Sequence, residues 1–171
     1  PNLARLLLSA GTYQYTLSDG QVTVQLYADS DATLDVGGGR KASIGMNTRY
    51  PVDGSIRMTV NGGAFKLALR IPGWCRSYTL TVDGVKTDAV TADGYVTLEQ
   101  EWAGQTVELV LDMPVQRVYA GPQVPHDAGK VCLQRGPLVY ALEEADNGKR
   151  LWNLSLPEEA SFEEHFAPDL L

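Results

Sequence analysis

The sequence predicts an all-β protein, an antiparallel β-sandwich of the jelly-roll type that follows a short N-terminal helix. Two observations predict this fold. After residue 11, apolar side chains alternate with polar ones along most of the chain, which is the period of strands with one buried and one wet face. Turn sequences that contain glycine separate these runs at short intervals, as hairpins require. Together they indicate roughly ten to thirteen strands.

The first ten residues have a different period. Apolar side chains recur there at the spacing of one helix face, at Leu3, Leu6, Leu7 and Ala10. Pro1 suits a first helical turn, and Gly11 suits the residue just after a helix end. A helix of about ten residues is marginal without packing. We therefore expect this leucine stripe to need a partner surface.

The strands and turns follow in order after Gly11. The predicted strand cores are 22–26, 56–60, 65–71, 78–82, 96–98, 107–111, 131–134 and 138–142. The predicted turns are 18–20, 37–39, 53–54, 61–63, 83–84, 93–94 and 103–104. We expect the last two strands to close the sandwich. The predicted organisation is a helix end over 1–11, the sandwich over 12–145, and an acidic, proline-containing tail over 146–171 in which 161–166 could form a short helix.

Composition excludes several classes of protein. The 171 residues favour one domain, and 44% hydrophobic and 20% charged residues indicate a globular chain. With a net charge of −7 and no basic cluster longer than two residues, we expect no nucleic-acid partner. No apolar run approaches the roughly 18 residues of a membrane span.

The two cysteines make no disulfide framework. Cys75 and Cys132 are interpreted as buried thiols, because His126 and His165 are not at zinc-finger spacing from them. The lack of a framework favours a cytoplasmic location, which is otherwise open. We name no metal ligand in the chain.

Four residues are candidates for binding. Trp74, Tyr95 and Trp102 could form a platform on which a sugar ring stacks, and the alternative for the tryptophans is packing at the end of the core. Arg135 precedes Gly136-Pro137 between two apolar strands. This break is either a bulge or edge kink, or it directs Arg135 toward a carboxylate of a neighbouring domain. Most carboxylates lie in turns or on wet strand faces, so none is named catalytic.

Five segments occur in an order that resembles a known family. They are PNLARLLLSAGTYQYTLSDG (1–20), NTRYPVDGSIRMTV (47–60), LALRIPGWC (67–75), EWAGQTVELVLDMPVQRVYA (101–120) and GKVCLQRGPLVYALE (129–143). Over residues 1 to about 145 the chain closely resembles the C-terminal part of glycoside hydrolase family 127, whose founding activity is β-L-arabinofuranosidase. RIPGWC and QRGPLVYALE are the most specific segments.

The resemblance implies a bacterial parent protein with an (α/α)6 barrel followed by β-sandwich domains. Catalysis in such proteins is retaining, with a zinc-bound cysteine nucleophile and a glutamate acid/base. Zinc lowers the pKa of a thiol, so that the thiolate exists at neutral pH. Pro1-Asn2 resembles the end of the family's Cys-Cys-x-Pro-Asn stretch. The resemblance therefore places the nucleophile, the zinc and the acid/base before residue 1, and no catalytic residue on this chain.

The expected function is that of a non-catalytic β-sandwich domain that braces the catalytic barrel of a glycoside hydrolase. The barrel of the same polypeptide is the expected partner, with residues 1–10 as the end of one of its helices. The loop of residues 121–130 is expected to line an interdomain surface. One alternative is an independent carbohydrate-binding module that binds an oligosaccharide through Trp74, Tyr95 or Trp102. A second alternative is an assembly domain that forms a homodimer through its sheet.

Overall fold

The computed structural model describes residues 2–18 and 20–167, which divide after Met113 into two compact units. The first unit contains α1 (Asn2–Ser9) and nine strands: β1 (Tyr15–Ser18), β2 (Gln21–Val24), β3 (Ser30–Asp35), β4 (Lys41–Thr48), β5 (Ser55–Arg70), β6 (Tyr78–Val82), β7 (Val85–Lys86), β8 (Thr91–Ala92) and β9 (Tyr95–Leu111). The second contains β10 (Val115–Tyr119), β11 (Val131–Arg135), β12 (Leu138–Val139) and α2 (Glu144–Asn147). Among the described helices, none has the length and apolar composition needed to cross a membrane.

The N-terminal helix is present where the leucine spacing predicted it. α1 continues directly into a 3-10 helix over Ala10–Tyr13, and it contains no buried residue. Gly11 lies inside that 3-10 helix without a positive φ, so its predicted role just after the helix end is wrong. Pro1, predicted for the first helical turn, lies outside the described residues.

Two long strands organise the nine-stranded sheet of the first unit. β5 and β9, of 16 and 17 residues, pair antiparallel along almost their whole length. The first half of β5 pairs with β4, and the second half pairs with β2. The β2–β5 pair is parallel, whereas the other pairs of the described sheet are antiparallel.

Two predicted turns lie inside these long strands. The register of β5 and β9 shifts on either side of Asn61, opposite Trp102 and Ala103. Residues 61–63 and 103–104 therefore form a β-bulge in a continuous pair and not hairpin turns, which corrects the prediction. These glycines were expected to allow tight hairpin turns, but they allow the local bend and added twist of a bulge. Gly62 has a φ of +131°.

The bulge lets both halves of each long strand contribute to one core. Along β5 the buried side chains are Ile56, Met58 and Val60 before the bulge, and Phe65, Leu67 and Leu69 after it. The same change of parity occurs along β9. Because both halves bury their apolar face in one cluster, the strand halves form two layers around a common core. The predicted all-β sandwich with a short N-terminal helix is confirmed.

The second unit has its own three-stranded antiparallel sheet in the order β10–β11–β12. Residues 131–134 and 138–142 were expected to close the sandwich, but the strands formed there pair with each other and with β10. Residues 161–166, for which a short helix was one possibility within the predicted tail, form no helix. The sandwich was predicted to end at residue 145, whereas the first compact unit ends at Met113. No apolar side chain described after Met113 is fully buried, so this unit depends on partly exposed contacts.

Candidate functional site

Trp102 does not belong to a sugar-stacking platform in this structure. Its side chain is 1% exposed, its indole Nε1 donates a hydrogen bond to the carbonyl of Phe65 at 3.0 Å, and its ring packs 5.8 Å from the ring of Phe65. A sugar needs an exposed aromatic face, and Trp102 offers none. Trp102 therefore packs in the core, which was the alternative interpretation, and it is not a candidate carbohydrate contact.

Trp74 belongs to an aromatic cluster that we define as Tyr27, Tyr50 and Trp74. The rings of Tyr50 and Trp74 stack with a 6.5 Å centroid separation and a 15° interplanar angle. Tyr27 meets Tyr50 edge to face at 5.9 Å. Aromatic pairs in these geometries contribute about 0.5–1.5 kcal/mol each beyond the area they bury. Trp74 and Tyr50 stay half-buried, whereas Tyr27 is buried.

One hydrogen bond anchors this cluster to β5, and a second one holds the predicted contact residue Tyr95. The Tyr27 hydroxyl donates to the Arg70 carbonyl at 2.6 Å, and the Tyr95 hydroxyl donates to Gln25 Oε1 at 2.7 Å. The sequence singled out Trp74 and Tyr95 but missed Tyr27 and Tyr50. No local pattern marks these tyrosines, because more than twenty residues separate successive members of the cluster. Oligosaccharide contact through Trp74 and Tyr95 stays a prediction.

The electrostatics of the cluster favour packing over acid–base chemistry. Burial raises the pKa of the Tyr27 phenol far above its usual value, and the proximity of Tyr50 raises it further. Burial also raises the pKa of Tyr50, against a smaller opposite effect of the Arg70 charge. Both phenols are therefore neutral at physiological pH, and they are poorly suited to accept a proton as a general base.

The two thiols do not fit a zinc site. Cys75 Sγ donates to the Ser77 carbonyl at 3.0 Å, and Cys132 Sγ contacts the Leu133 carbonyl at 3.6 Å. Burial raises the pKa of Cys75, which works against the thiolate that zinc requires. Among residues 2–18 and 20–167, no group of three or more His, Cys, Asp or Glu side chains is placed to hold a metal ion.

In the second unit, two arginines hold the C-terminal segment, an arrangement we call the tail clamp. Arg117 Nη2 donates to the carbonyls of Pro157 at 3.1 Å and Ala160 at 2.7 Å, and its guanidinium lies 4.8 Å from the centre of the Phe162 ring. Arg135 pairs with Glu164, with 2.6 Å between Nε and Oε2. The register places both arginines on one face of the β10–β11 pair.

The tail clamp shows which carboxylate Arg135 contacts within this unit. The β11 end does direct this guanidinium to a carboxylate, and that carboxylate belongs to the C-terminal segment of the same unit. Because only 19% of the Arg135 side chain is exposed, this ion pair is better shielded than a surface pair. Contact of Arg135, or of the loop at residues 121–130, with another domain stays a prediction.

Arg117→Ala is expected to release the segment of residues 157–164. The change removes two hydrogen bonds from a charged donor and one cation–π contact, together worth about 2 kcal/mol. We expect cleavage by a glutamyl endopeptidase after Glu163 and Glu164 to become at least about tenfold faster. Arg150→Ala is the control, because the exposed Arg150 side chain makes no hydrogen bond among the described residues. Equal cleavage rates for the two variants would show that the clamp does not hold the tail.

The remaining candidate surface is the apolar face of the N-terminal helix, which we call the leucine face: Leu3, Leu6 and Leu7 of α1, with Ala10 at the start of the 3-10 helix that follows. Leu3 is 71% exposed, Leu6 57% and Leu7 68%. Leu8 is also exposed, but it lies on the opposite side of the helix. Three neighbouring exposed leucines on one helix face are typical of a surface that contacts another protein segment.

Comparison with known proteins matches the chain to one family in two parts. The family model described as the GH127 middle domain of β-L-arabinofuranosidase matches residues 21–113. The glycoside hydrolase family 127 C-terminal domain model matches residues 115–168. The boundary between the two matches coincides with the division between the two units.

Individual relatives agree with these matches. The chain is 39% identical over 166 residues to a non-reducing end β-L-arabinofuranosidase of Bifidobacterium longum subsp. longum, covering 92% of this chain and 25% of that protein. A crystal structure of a GH127 β-L-arabinofuranosidase from Geobacillus stearothermophilus T6 matches with a TM-score of 0.95 and 48% identity, over 99% of this chain and 28% of the other. A GH127 β-arabinofuranosidase structure matches with a TM-score of 0.80 and 33% identity, over 85% of this chain and 26% of the other.

Proposed function

Because the chain belongs to glycoside hydrolase family 127, as its segments predicted, we propose that it is the non-catalytic scaffold of a β-L-arabinofuranosidase-type glycoside hydrolase. It braces a catalytic domain that precedes it in a longer polypeptide. The chain spans about a quarter of the length of the relatives it matches, 25% and 28% for two of them, so most of such a polypeptide lies outside it.

The leucine face of α1 is the observation that carries this proposal. An isolated helix of eight residues is marginal in water, and α1 buries none of its side chains in the described chain. Burying one leucine contributes about 1.5–3 kcal/mol, so a partner that covers three of them would hold the helix firmly. The partner that we propose is another part of a longer polypeptide, because the relatives that this chain matches are about four times as long.

The chemistry of the described residues supports a non-catalytic role. In the family resemblance, a zinc-bound thiolate acts as nucleophile, but both thiols of this chain contact backbone carbonyls in places with no metal-binding cluster. When zinc is bound, it supplies a reactive thiolate at neutral pH. This chain contributes rigid support beside that chemistry. A homodimer through the sheet and a cytoplasmic location stay predictions.

Two leucine substitutions on α1 test the scaffold proposal. Leu7→Glu places a charge on the leucine face, and Leu8→Glu places the same charge on the opposite side of the same helix. In the longer polypeptide we expect Leu7→Glu to lower the free energy of unfolding by about 3 kcal/mol, because a buried leucine is replaced by a charge. Leu8→Glu should change it by less than about 0.5 kcal/mol. Denaturant unfolding measures both values.

The 171-residue chain alone supplies the matching control. There Leu7→Glu should leave the unfolding midpoint unchanged, because the side chain is already exposed. Equal effects of the two substitutions in the longer polypeptide would contradict a specific leucine-face contact. A large loss in the short chain would show that the leucine face packs within the chain itself.

A further inference from the structure

The outer face of the first unit carries an open polar groove that the scaffold role does not use. It has a volume of about 900 Å³ and lies over β3, β4 and the first half of β5. The side chains that line it from the exposed face of these strands are Asp31, Thr33, Ser43, Asn47, Arg57, Thr59 and Asn61. We call this surface the polar groove. It is separate from α1 and from the aromatic cluster.

The strand register arranges these side chains in rows across the sheet. One row contains Asp31, Gly45 and Thr59, and the next contains Thr33, Ser43 and Asn61. Neighbouring strands lie about 4.8 Å apart, and successive side chains on one face lie about 7 Å apart along a strand. Hydrogen-bonding groups are therefore spread over a surface as large as two or three linked sugar rings.

Gly45 leaves room for the carboxylate of Asp31 in the middle of the groove. A Cβ atom at this position would stand 3.1 Å from Asp31 Oδ1, so the carboxylate of Asp31 reaches over the glycine. The groove floor there is backbone. Gly45 is in ordinary strand conformation, and a side chain could be accommodated by movement of the Asp31 carboxylate. The glycine is thus not required by backbone strain, and its main effect is to leave space for the Asp31 carboxylate.

The groove's polar side chains are mostly unused by the fold. Within the part of the chain that the structure describes, the side chains of Asp31, Asn47 and Thr59 make no hydrogen bond. At the margins, Arg57 pairs with Glu108 at 2.6 Å, and Asp29 Oδ1 accepts from the Thr48 amide at 2.6 Å. The side chains at the margin of the groove are therefore held by contacts within the protein. The donors and acceptors in the middle of the groove face outward.

We propose that the polar groove binds a neutral oligosaccharide. Amide and hydroxyl side chains donate and accept, as sugar hydroxyls do, and the Asp31 carboxylate accepts. The carboxylates of Asp29 and Asp31 disfavour anionic ligands, and the charge of Arg57 is already balanced by Glu108. The described residues that line the groove include no aromatic side chain, so the ligand is held by hydrogen bonds to its sugar hydroxyls. This site is distinct from the predicted contacts at Trp74 and Tyr95.

Titration of the 171-residue chain with linear arabinotriose, followed by amide chemical shifts, tests the proposal. We expect a Kd of about 1 mM, with shifts confined to β3, β4 and the first half of β5. Gly45→Thr fills the centre with a residue that suits a strand, and should weaken binding at least about tenfold while the unfolding midpoint is retained. Thr59→Ala should weaken it about threefold, which is the loss of one exposed hydrogen bond.

Thr97→Ala is the matched control, because Thr97 is an exposed strand residue outside the groove. It should bind arabinotriose as the unchanged chain does. The proposal is overturned by an absence of shifts at about 10 mM ligand, well above the expected Kd. It is also overturned by shifts centred on Trp74 and Tyr95, or by full binding to a folded Gly45→Thr variant. None of these outcomes bears on the leucine face, so the scaffold proposal stands or falls separately.

Discussion

Replacing Trp102 with alanine is expected to lower the free energy of unfolding of the chain by about 3–5 kcal/mol. The side chain is 1% exposed and is among the largest of the fully buried residues. The substitution removes its contact with the Phe65 ring and leaves the Phe65 carbonyl without the indole donor. About 1–3 kcal/mol of this loss comes from the buried carbonyl that loses its partner, and the rest comes from the cavity.

Denaturant unfolding followed by far-UV circular dichroism measures this loss. Trp152→Ala is the matched control, because Trp152 is 77% exposed in the second unit and its removal should cost less than about 0.5 kcal/mol. A loss below about 1 kcal/mol for Trp102→Ala would contradict the central place of this residue in the core. A glycan-binding defect of this variant would report unfolding, and so could not be taken as evidence of sugar contact.

Sequence periodicity predicted the strands well because strand burial is a local property. The alternation of Ile56, Met58 and Val60 with polar residues marks one buried face, and all three are buried. The hairpin turns at 83–84 and 93–94 were also predictable. Asp83 and Asp93 have positive φ values beside Gly84 and Gly94, which is the conformation that Asp-Gly pairs favour in tight hairpins.

The bulge at residues 61–63 was predicted as a turn because bulges and turns contain the same residue types. Glycines at 62 and 63 between two apolar runs satisfy the local requirements of a hairpin. Whether the chain reverses or continues depends on the neighbouring strands, and here β4 and β9 flank β5 on both sides. The shift of buried parity from Val60 to Phe65 was the available sign that the run continues through an irregularity.

The candidate sites were less predictable than the strands because distant segments build them. Trp74 was singled out, but its stacking partner Tyr50 lies in another loop. Likewise the polar groove depends on which wet faces become neighbours, which period-two alternation does not specify. The leucine face of α1 was the exception. Its apolar stripe is contained in one helix, so the sequence alone revealed it.

The bend between the two layers also predicts a strong position-specific effect of adding one methyl group. Gly62→Ala is expected to lower the free energy of unfolding by about 3 kcal/mol or more. A Cβ at Gly62 would lie 2.6 Å from the Ala42 Cα and 2.7 Å from the Lys41 carbonyl oxygen. Both are backbone atoms of β4, which cannot move without disturbing its pairing with β5. The φ of +131° adds strain for any L-amino-acid side chain.

Gly63→Ala separates steric overlap from backbone strain. Gly63 has a φ of +79°, but the nearest atom to an added Cβ is the flexible Glu101 Oε1 at 3.7 Å. This variant should lose only about 1 kcal/mol, the cost of the left-handed conformation. Urea unfolding of both variants gives the difference directly. Equal losses would mean that β4 moves away at little cost, and the bulge would then not fix the spacing between β4 and β5. A larger loss for Gly62→Ala would establish that close backbone approach, and not chain flexibility, requires glycine at the bend.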